Sequence, residues 1–241
     1  MTDIPILFQP EMIEAIDGGR KTMTRRLAWG EPRPVGTTVT RAEREEIQAE
    51  GWKLERRGTH WYAQKSSPWQ KVKAGDRLWV REQHWRWGVW ERDWLGSWSF
   101  HPEAATMGNI FYGKKPGGTI GTREMRSTAW HKRPSIFMPK EHSRFTLIVT
   151  ATKIEPLQDI SESDARAEGA PWYVYGHGVI SDDEYRMEPG YQPNKRMGFC
   201  QLWNDIHGWG PPSAWDKNPE VVAVSFRIIS ANIDSEQARA A

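Results

Sequence analysis

Alternation and helical spacing of the apolar positions divide the chain into short elements. Residues 4–8 read as a strand. Pro10 suits the first turn of a helix in which Met12, Ile13 and Ile16 form one apolar stripe. Gly18-Gly19 ends that helix, because glycine takes a left-handed cap cheaply. Residues 21–27 follow as a strand or extended segment, and residues 28–40, rich in Pro and Gly, as loop. Residues 41–50 read as a charged helix, and 52–55 with 60–64 as a hairpin around Arg57-Gly58. After the turn Ala74-Gly75-Asp76, residues 77–83 alternate: Leu78, Val80 and Glu82 share one face, and Arg77, Trp79 and Arg81 the other. Glu82 thus closes an apolar face with a carboxylate, unless the strand has left the core by that point.

Residues 84–132 show no clean periodicity. The glycine-rich run 114–121 lacks the lysine-serine/threonine ending of a phosphate-binding P-loop and reads as flexible loop. Residues 144–154 form the strongest strand pattern, with Phe145, Leu147 and Val149 alternating with Thr146, Ile148 and Thr150. Ser161, with Asp164 three positions on, caps a short helix that stops at Gly169. A loop insertion over 170–197, an amphipathic helix over 199–206, a closing strand over 221–229 and a polar tail complete the chain. No long βαβ alternation and no internal repeat is visible. These elements predict an α+β fold: one small mixed barrel over 1–230 with insertions at about 28–70, 84–132 and 170–197, then a tail over 231–241.

Composition narrows the chemistry. The chain has 241 residues with 33 basic and 31 acidic side chains, a net charge of +2, so attraction for phosphate must be local rather than a general coat. The single cysteine, Cys200, excludes an intrachain disulfide and a multi-cysteine zinc site; its setting predicts a buried helical thiol. The seven histidines (His60, His84, His101, His131, His142, His177, His207) have no metal-binding spacing, and His142 beside Ser143 gives no triad. No apolar run is long enough for a membrane span, which predicts a cytoplasmic protein. Of 15 tryptophans, Trp85, Trp87, Trp90, Trp94 and Trp98 cluster. They read either as anchors of an inserted flap or as stacking platforms for bases.

The densest chemistry lies in Gly19-Arg20-Lys21-Thr22-Met23-Thr24-Arg25-Arg26, four cations and two threonine hydroxyls directly after the first helix. Such a strip suits phosphates, nucleobases or an activated nucleophile.

This strip belongs to an ordered set of segments: Ile6-Leu7-Phe8; Gly19 to Arg26; Gly75-Asp76-Arg77-Leu78-Trp79-Val80-Arg81-Glu82; Arg133-Pro134-Ser135-Ile136-Phe137-Met138-Pro139; Ser143-Arg144-Phe145-Thr146-Leu147; Leu157-Gln158-Asp159-Ile160-Ser161-Glu162; and Trp215-Asp216-Lys217-Asn218-Pro219. In that set the chain resembles the ASCH family of PUA-like barrels, especially its longer phage and prophage type. It departs from that type at Glu220, where an aromatic residue usually follows Asn-Pro. The resemblance implies a PUA-like β-barrel that recognises RNA or a modified nucleoside. Compact members of the family remove the acetyl group of N4-acetylcytidine with a lysine, a threonine and a glutamate. The resemblance places these at Lys21, Thr24 and Glu168, and implies no metal or cofactor.

Amide hydrolysis needs a nucleophile, a base and an acid for the leaving amine. Thr24 supplies a hydroxyl. Lys21 acts as base if burial or the cations Arg20, Arg25 and Arg26 ease loss of its proton. Glu168 closes its helix, where the negative end of the dipole disfavours a carboxylate, which suits an acid. On a regular strand, however, Lys21 and Thr24 face opposite sides, so they converge only if the backbone bends. Residue type alone reads Glu168 as a solvated carboxylate. Arg20, Arg25, Arg26 and Glu82 are the expected substrate contacts. The alternatives are a non-catalytic RNA-binding module and a single-strand ribonuclease; the oligomeric state is left open.

Overall fold

The computed structural model describes residues 2–103, 110–113, 115–174, 178–180, 194–210 and 212–240. His177 and Lys114 lie outside the described residues, as does most of the expected insertion beyond residue 180. The chain divides into two compact units: Met1–Gly18, Asp76–Ile148 and Ile228–Ala241 form unit 1, and Gly19–Gly75 with Val149–Arg227 form unit 2.

Unit 1 opens with β1 (Asp3–Leu7) and α1 (Pro10–Asp17), whose buried stripe is Ile13, Ala15 and Ile16. Gly18 caps α1 and Gly19 follows with φ of 68°, the left-handed turn that the glycine pair is there to permit. In unit 2 come β2 (Met23–Leu27), β3 (Arg33–Gly36), α2 (Arg41–Ala49), β4 (Trp52–Arg57) and β5 (His60–Lys65). Thr40 and Glu43 close a capping box on α2, which buries no residue. The expected loop over 28–40 thus contains a strand: β3 pairs with β5, and β5 with β4.

The chain then builds β6 (Arg77–Arg81), β7 (His84–Arg92), β8 (Trp98–Pro102), β9 (Ile110–Tyr112) and β10 (Ala129–Arg133) in unit 1. β1 runs parallel to β6, with Ile6 opposite Val80. The stretch read as aperiodic is an antiparallel sheet, in which β7 pairs with β10, β8 and β9. The two faces of β7 carry His84, Arg86, Gly88 and Trp90 against Trp85, Trp87 and Val89. Both rows are bulky, so no polar-apolar contrast marks the period of two. Trp87 and Trp130 meet edge to face at 5.5 Å, and Phe111 joins Trp130 at 5.1 Å. A side chain at Gly88 would overlap the His101 carbonyl.

β11 (Thr146–Pro156) starts in unit 1 and ends in unit 2. α3 (Glu162–Ala167), β12 (Trp172–Val174), β13 (Gly178–Ile180) and α4 (Lys195–His207) follow in unit 2. β14 (Glu220–Ile229) and α5 (Glu236–Arg239) end the described chain. Ser161 caps α3 as its sequence predicts, accepting from Asp164 N at 3.0 Å. α4 starts before residue 199, under an Asn194 cap. The tail is less polar in its role than in its composition, because Ile233 and Ala238 are buried.

Leu157, Ile160, Ala165, Ala170, Phe199, Trp203 and Val221 form the core of unit 2, with Leu27 and Trp215 packed against it. Two segments of the ordered set meet there: Leu157 N donates to Pro219 O, and Gln158 N to Asn218 Oδ1, at 2.9 and 2.8 Å. Cys200 is buried in α4, and burial pushes its thiol upward.

The fold is mixed α+β with several sheets. Among the described residues these sheets remain open, and no barrel closes. In unit 2 the order is β11-β14-β2, and the backbone leading into β2 meets the end of a helix instead of a further strand. Lys21 bridges to Glu168, and Thr22 N donates to Ala167 O at 2.7 Å. No described helix is long and apolar enough to cross a membrane.

Candidate functional site

Every residue of the expected catalytic set lies in unit 2. The strip leaves Gly19 and runs as extended backbone. One side of it is zipped to the C-terminus of α3, while Thr22 O accepts from Phe226 N at 2.9 Å. α3 ends because Gly169 adopts φ of 71°, leaving Glu168 at the cap position. Lys21 Nζ then reaches both the carboxylate and the backbone of that cap. It lies 2.8 Å from Glu168 Oε2 and 2.7 Å from Glu168 O, with Lys21 0% and Glu168 3% exposed. A cation on the last carbonyls of a helix is favourable in its own right. The reading of Glu168 as a solvated carboxylate is therefore overturned.

Glu168 also accepts from Arg25 Nη1 at 3.2 Å. Arg25 is a hub: its Nη2 donates to Glu155 Oε1 at 2.6 Å and to Asp164 Oδ2 at 2.8 Å. Lys153 completes the network with both Glu155 and Asp164 at 3.0 Å. Three cations thus face three carboxylates, and the fork of a guanidinium is the group that can serve several oxygens at once. Arg25 Nε is buried without a hydrogen-bond partner among the described residues.

Burial pushes the Lys21 ammonium below its ordinary range; Glu168 opposes this, and Arg26 and Arg25 add to it. Burial also works against the charge of Arg25, but Glu168, Glu155 and Asp164 outweigh it and hold the guanidinium above its usual range. Asp164 is held low by Lys153 and Arg25 against the opposing effect of burial.

Thr24 lies on β2 opposite Val224 and is buried. Its Oγ1 accepts from Arg26 Nη1 at 3.0 Å. Alternation puts Thr24 and Arg26 on one face of β2 and Met23 and Arg25 on the other. Arg25 Nη1 accordingly touches Met23 Sδ at 3.3 Å. Arg26 links the two faces electrostatically: burial lowers its pKa, Glu168 opposes that, and Arg26 in turn acts on Lys21. The structure therefore joins Lys21 directly to Glu168, and Thr24 to Arg26. Arg20 is exposed. Glu82 belongs to unit 1, where both carboxylate oxygens are taken by Arg144 at 2.9 and 2.7 Å.

Leu27, the last residue of β2, and Trp29 just beyond it line a cavity of about 770 Å³, together with Lys53, His207, Lys217 and Glu220. Glu220 accepts from Trp29 Nε1 at 3.0 Å and pairs with Lys53. His207 stacks on Trp203 at 4.1 Å, and burial and then Arg26 lower its pKa. Lys21, Thr24 and Glu168 do not line this cavity.

Sequence reasoning missed Glu155, Lys153 and Asp164 as partners of Arg25. Their signal was available in part, since Lys153 and Glu155 stand two apart on one strand face. Among the described residues, no group of three or more His, Cys, Asp or Glu side chains is placed to hold a metal ion. Comparisons with family models, curated proteins and solved structures give no match.

Proposed function

We propose that this chain is an ASCH-type protein of PUA-like descent that recognises RNA or a modified nucleoside, and that it hydrolyses the acyl amide of N4-acetylcytidine-like substrates. The observation that carries the reading is the buried contact of Lys21 Nζ with Glu168 Oε2 at 2.8 Å. Moving one proton across that bond turns an ammonium-carboxylate pair into an amine and a carboxylic acid. The burial that depresses Lys21 favours the neutral arrangement. Base and acid then arise together from one shared proton.

In this scheme Thr24 Oγ attacks the acyl carbon and Lys21 takes its proton. The C–N bond breaks as Glu168 protonates the departing N4 amine. The proton on Lys21 then returns to Glu168 across their hydrogen bond. Water cleaves the acyl-threonine by the same route, with Lys21 accepting its proton and Glu168 returning one to Thr24 Oγ. Arg26, the donor to Thr24 Oγ1, positions the hydroxyl.

The test is incubation with N4-acetylcytidine. Release of cytidine and acetate, lost in Lys21→Ala and Thr24→Ala, supports the reading; no cytidine at high enzyme concentration overturns it. In that event the strip reads as an RNA contact without catalysis, and RNA binding that weakens steeply with salt distinguishes it. Shortening of RNA marks a nuclease instead, and a chelator tells whether the cleavage needs a metal.

A further inference from the structure

Unit 1 holds a second concentration of positive charge, on one face of the β7–β10 sheet. Arg86 stands on β7, Arg133 ends β10, and Arg123 lies in the segment before β10. Among the described residues none of the three forms an ion pair, in contrast to Arg25, which meets three carboxylates. Their mutual repulsion is felt: after burial, Arg86 and Arg123 are what lower the Arg133 guanidinium. Aromatic rings hold the cluster in place of acids. The guanidinium carbon of Arg133 lies 4.7 Å from the Trp90 ring centre, 4.5 Å from Phe100 and 4.7 Å from Phe137. Arg123 shares the Trp90 ring at 4.9 Å. Trp90 and Phe100 are direct cross-strand partners in edge-to-face contact at 5.4 Å.

Like charges gathered without a counter-charge cost stability, and they persist where an anion supplies the missing charge. A single carboxylate or phosphate would satisfy the arginines but leave the apolar rim unexplained. Phe137 is 57% exposed and its neighbour Ile136 56% exposed, beside the guanidinium of Arg133. Phosphates in series with flat, unpaired bases match both features, because guanidinium groups take the phosphates and ring faces take the bases. A duplex hides those base faces within its stack. We propose that the Arg86, Arg123 and Arg133 cluster, with Phe137 at its rim, is a binding platform for single-stranded nucleic acid. This platform is separate from the strip of Lys21 to Arg26 and goes beyond the hydrolase reading, on which it does not depend.

The experiment is fluorescence anisotropy with a labelled single-stranded uridine oligonucleotide of about 12 nucleotides, within the span of typical single-strand sites. It is run across a salt series, with the same strand annealed to its complement as control. The wild-type protein binds the single strand more tightly than the duplex, and its affinity falls with salt. Arg123→Glu, an exposed change that leaves folding intact, weakens binding at least tenfold; Arg133→Gln does the same. Arg133→Gln also lowers the slope of log affinity against log salt by about 0.7. Phe137→Ala weakens binding about tenfold with the salt slope unchanged. Arg123→Glu leaves acetylcytidine hydrolysis at the wild-type rate, so loss of binding at the platform and loss of hydrolysis are read separately and either reading can fail alone. Absence of single-strand binding at low salt, equal affinity for the duplex, or unaltered affinity and salt slope in Arg123→Glu and Arg133→Gln overturns the proposal.

Discussion

Lys21 and Glu168 are joined three times: by their side chains, by the Lys21 ammonium on the Glu168 carbonyl, and by a bridge between their backbones. A lysine that serves as base must be able to lose its proton. Lys21→Arg keeps the charge but cannot do so. It is expected to lower acetylcytidine hydrolysis by about 10²- to 10⁴-fold, as measured by cytidine release. In the wild type the rate should fall as pH rises through the depressed Lys21 pKa, below the ordinary lysine range, because the pair then loses the one proton that its base and acid forms share.

Arg25 should matter far more to stability than any surface ion pair. Arg25→Met leaves Glu155, Asp164 and Glu168 without their shared cation and is expected to cost about 3–5 kcal/mol in urea unfolding. Arg41 pairs with Glu45 at 2.8 Å but is 92% exposed, and Arg41→Ala should have no measurable cost.

His84 makes a pH prediction for folding. It is fully buried, its Nδ1 lies 3.1 Å from Glu82 O, and burial lowers its pKa from 6.5 to about 4. The unfolded chain takes up a proton near pH 6.5 that the folded chain refuses until about pH 4, so the unfolded state binds more protons across that window. The contribution is complete above pH 6.5 and is lost as pH falls toward 4, by about 3 kcal/mol. Urea titrations across this range should show that loss in the wild type and a flatter dependence in His84→Gln.

Gly198 sits within α4, where alanine would ordinarily favour a helix by about 1 kcal/mol. A methyl group there would overlap the carbonyl of Pro171. Gly198→Ala is therefore expected to lower the melting temperature; a rise would refute the close packing of α4 on that segment.

How much of this could be read in advance depended on contrast along the chain. The α1 stripe, the β6 alternation and the Ser161 cap of α3 were legible, because each sets apolar against polar residues or places a cap at a fixed offset. The β7–β10 sheet was not, since tryptophans occupy both of its faces and no polar-apolar contrast separates them. β3 was hidden by Pro34 and Gly36, residues that signal loop, and an irregular register occurs between them. In the site, the side-chain types of Lys21 and Glu168 were visible, but their burial was not. A carboxylate beside a glycine reads as solvent-facing until a lysine from a distant segment is placed against it. The role of Arg25 was invisible for the same reason, since its partners come from β11 and α3.

The Lys21–Glu168 bond spans 147 positions of sequence, and all of Asp76–Ile148 is threaded between its ends. A ribosome makes the amine long before it makes the acid. Until residue 168 emerges, Lys21 has no reason to leave water, and afterwards it has little means of returning. The pair is thus a record of synthesis through α3: a chain stalled or clipped before that helix carries the basic strip intact and no Glu168 to go with it.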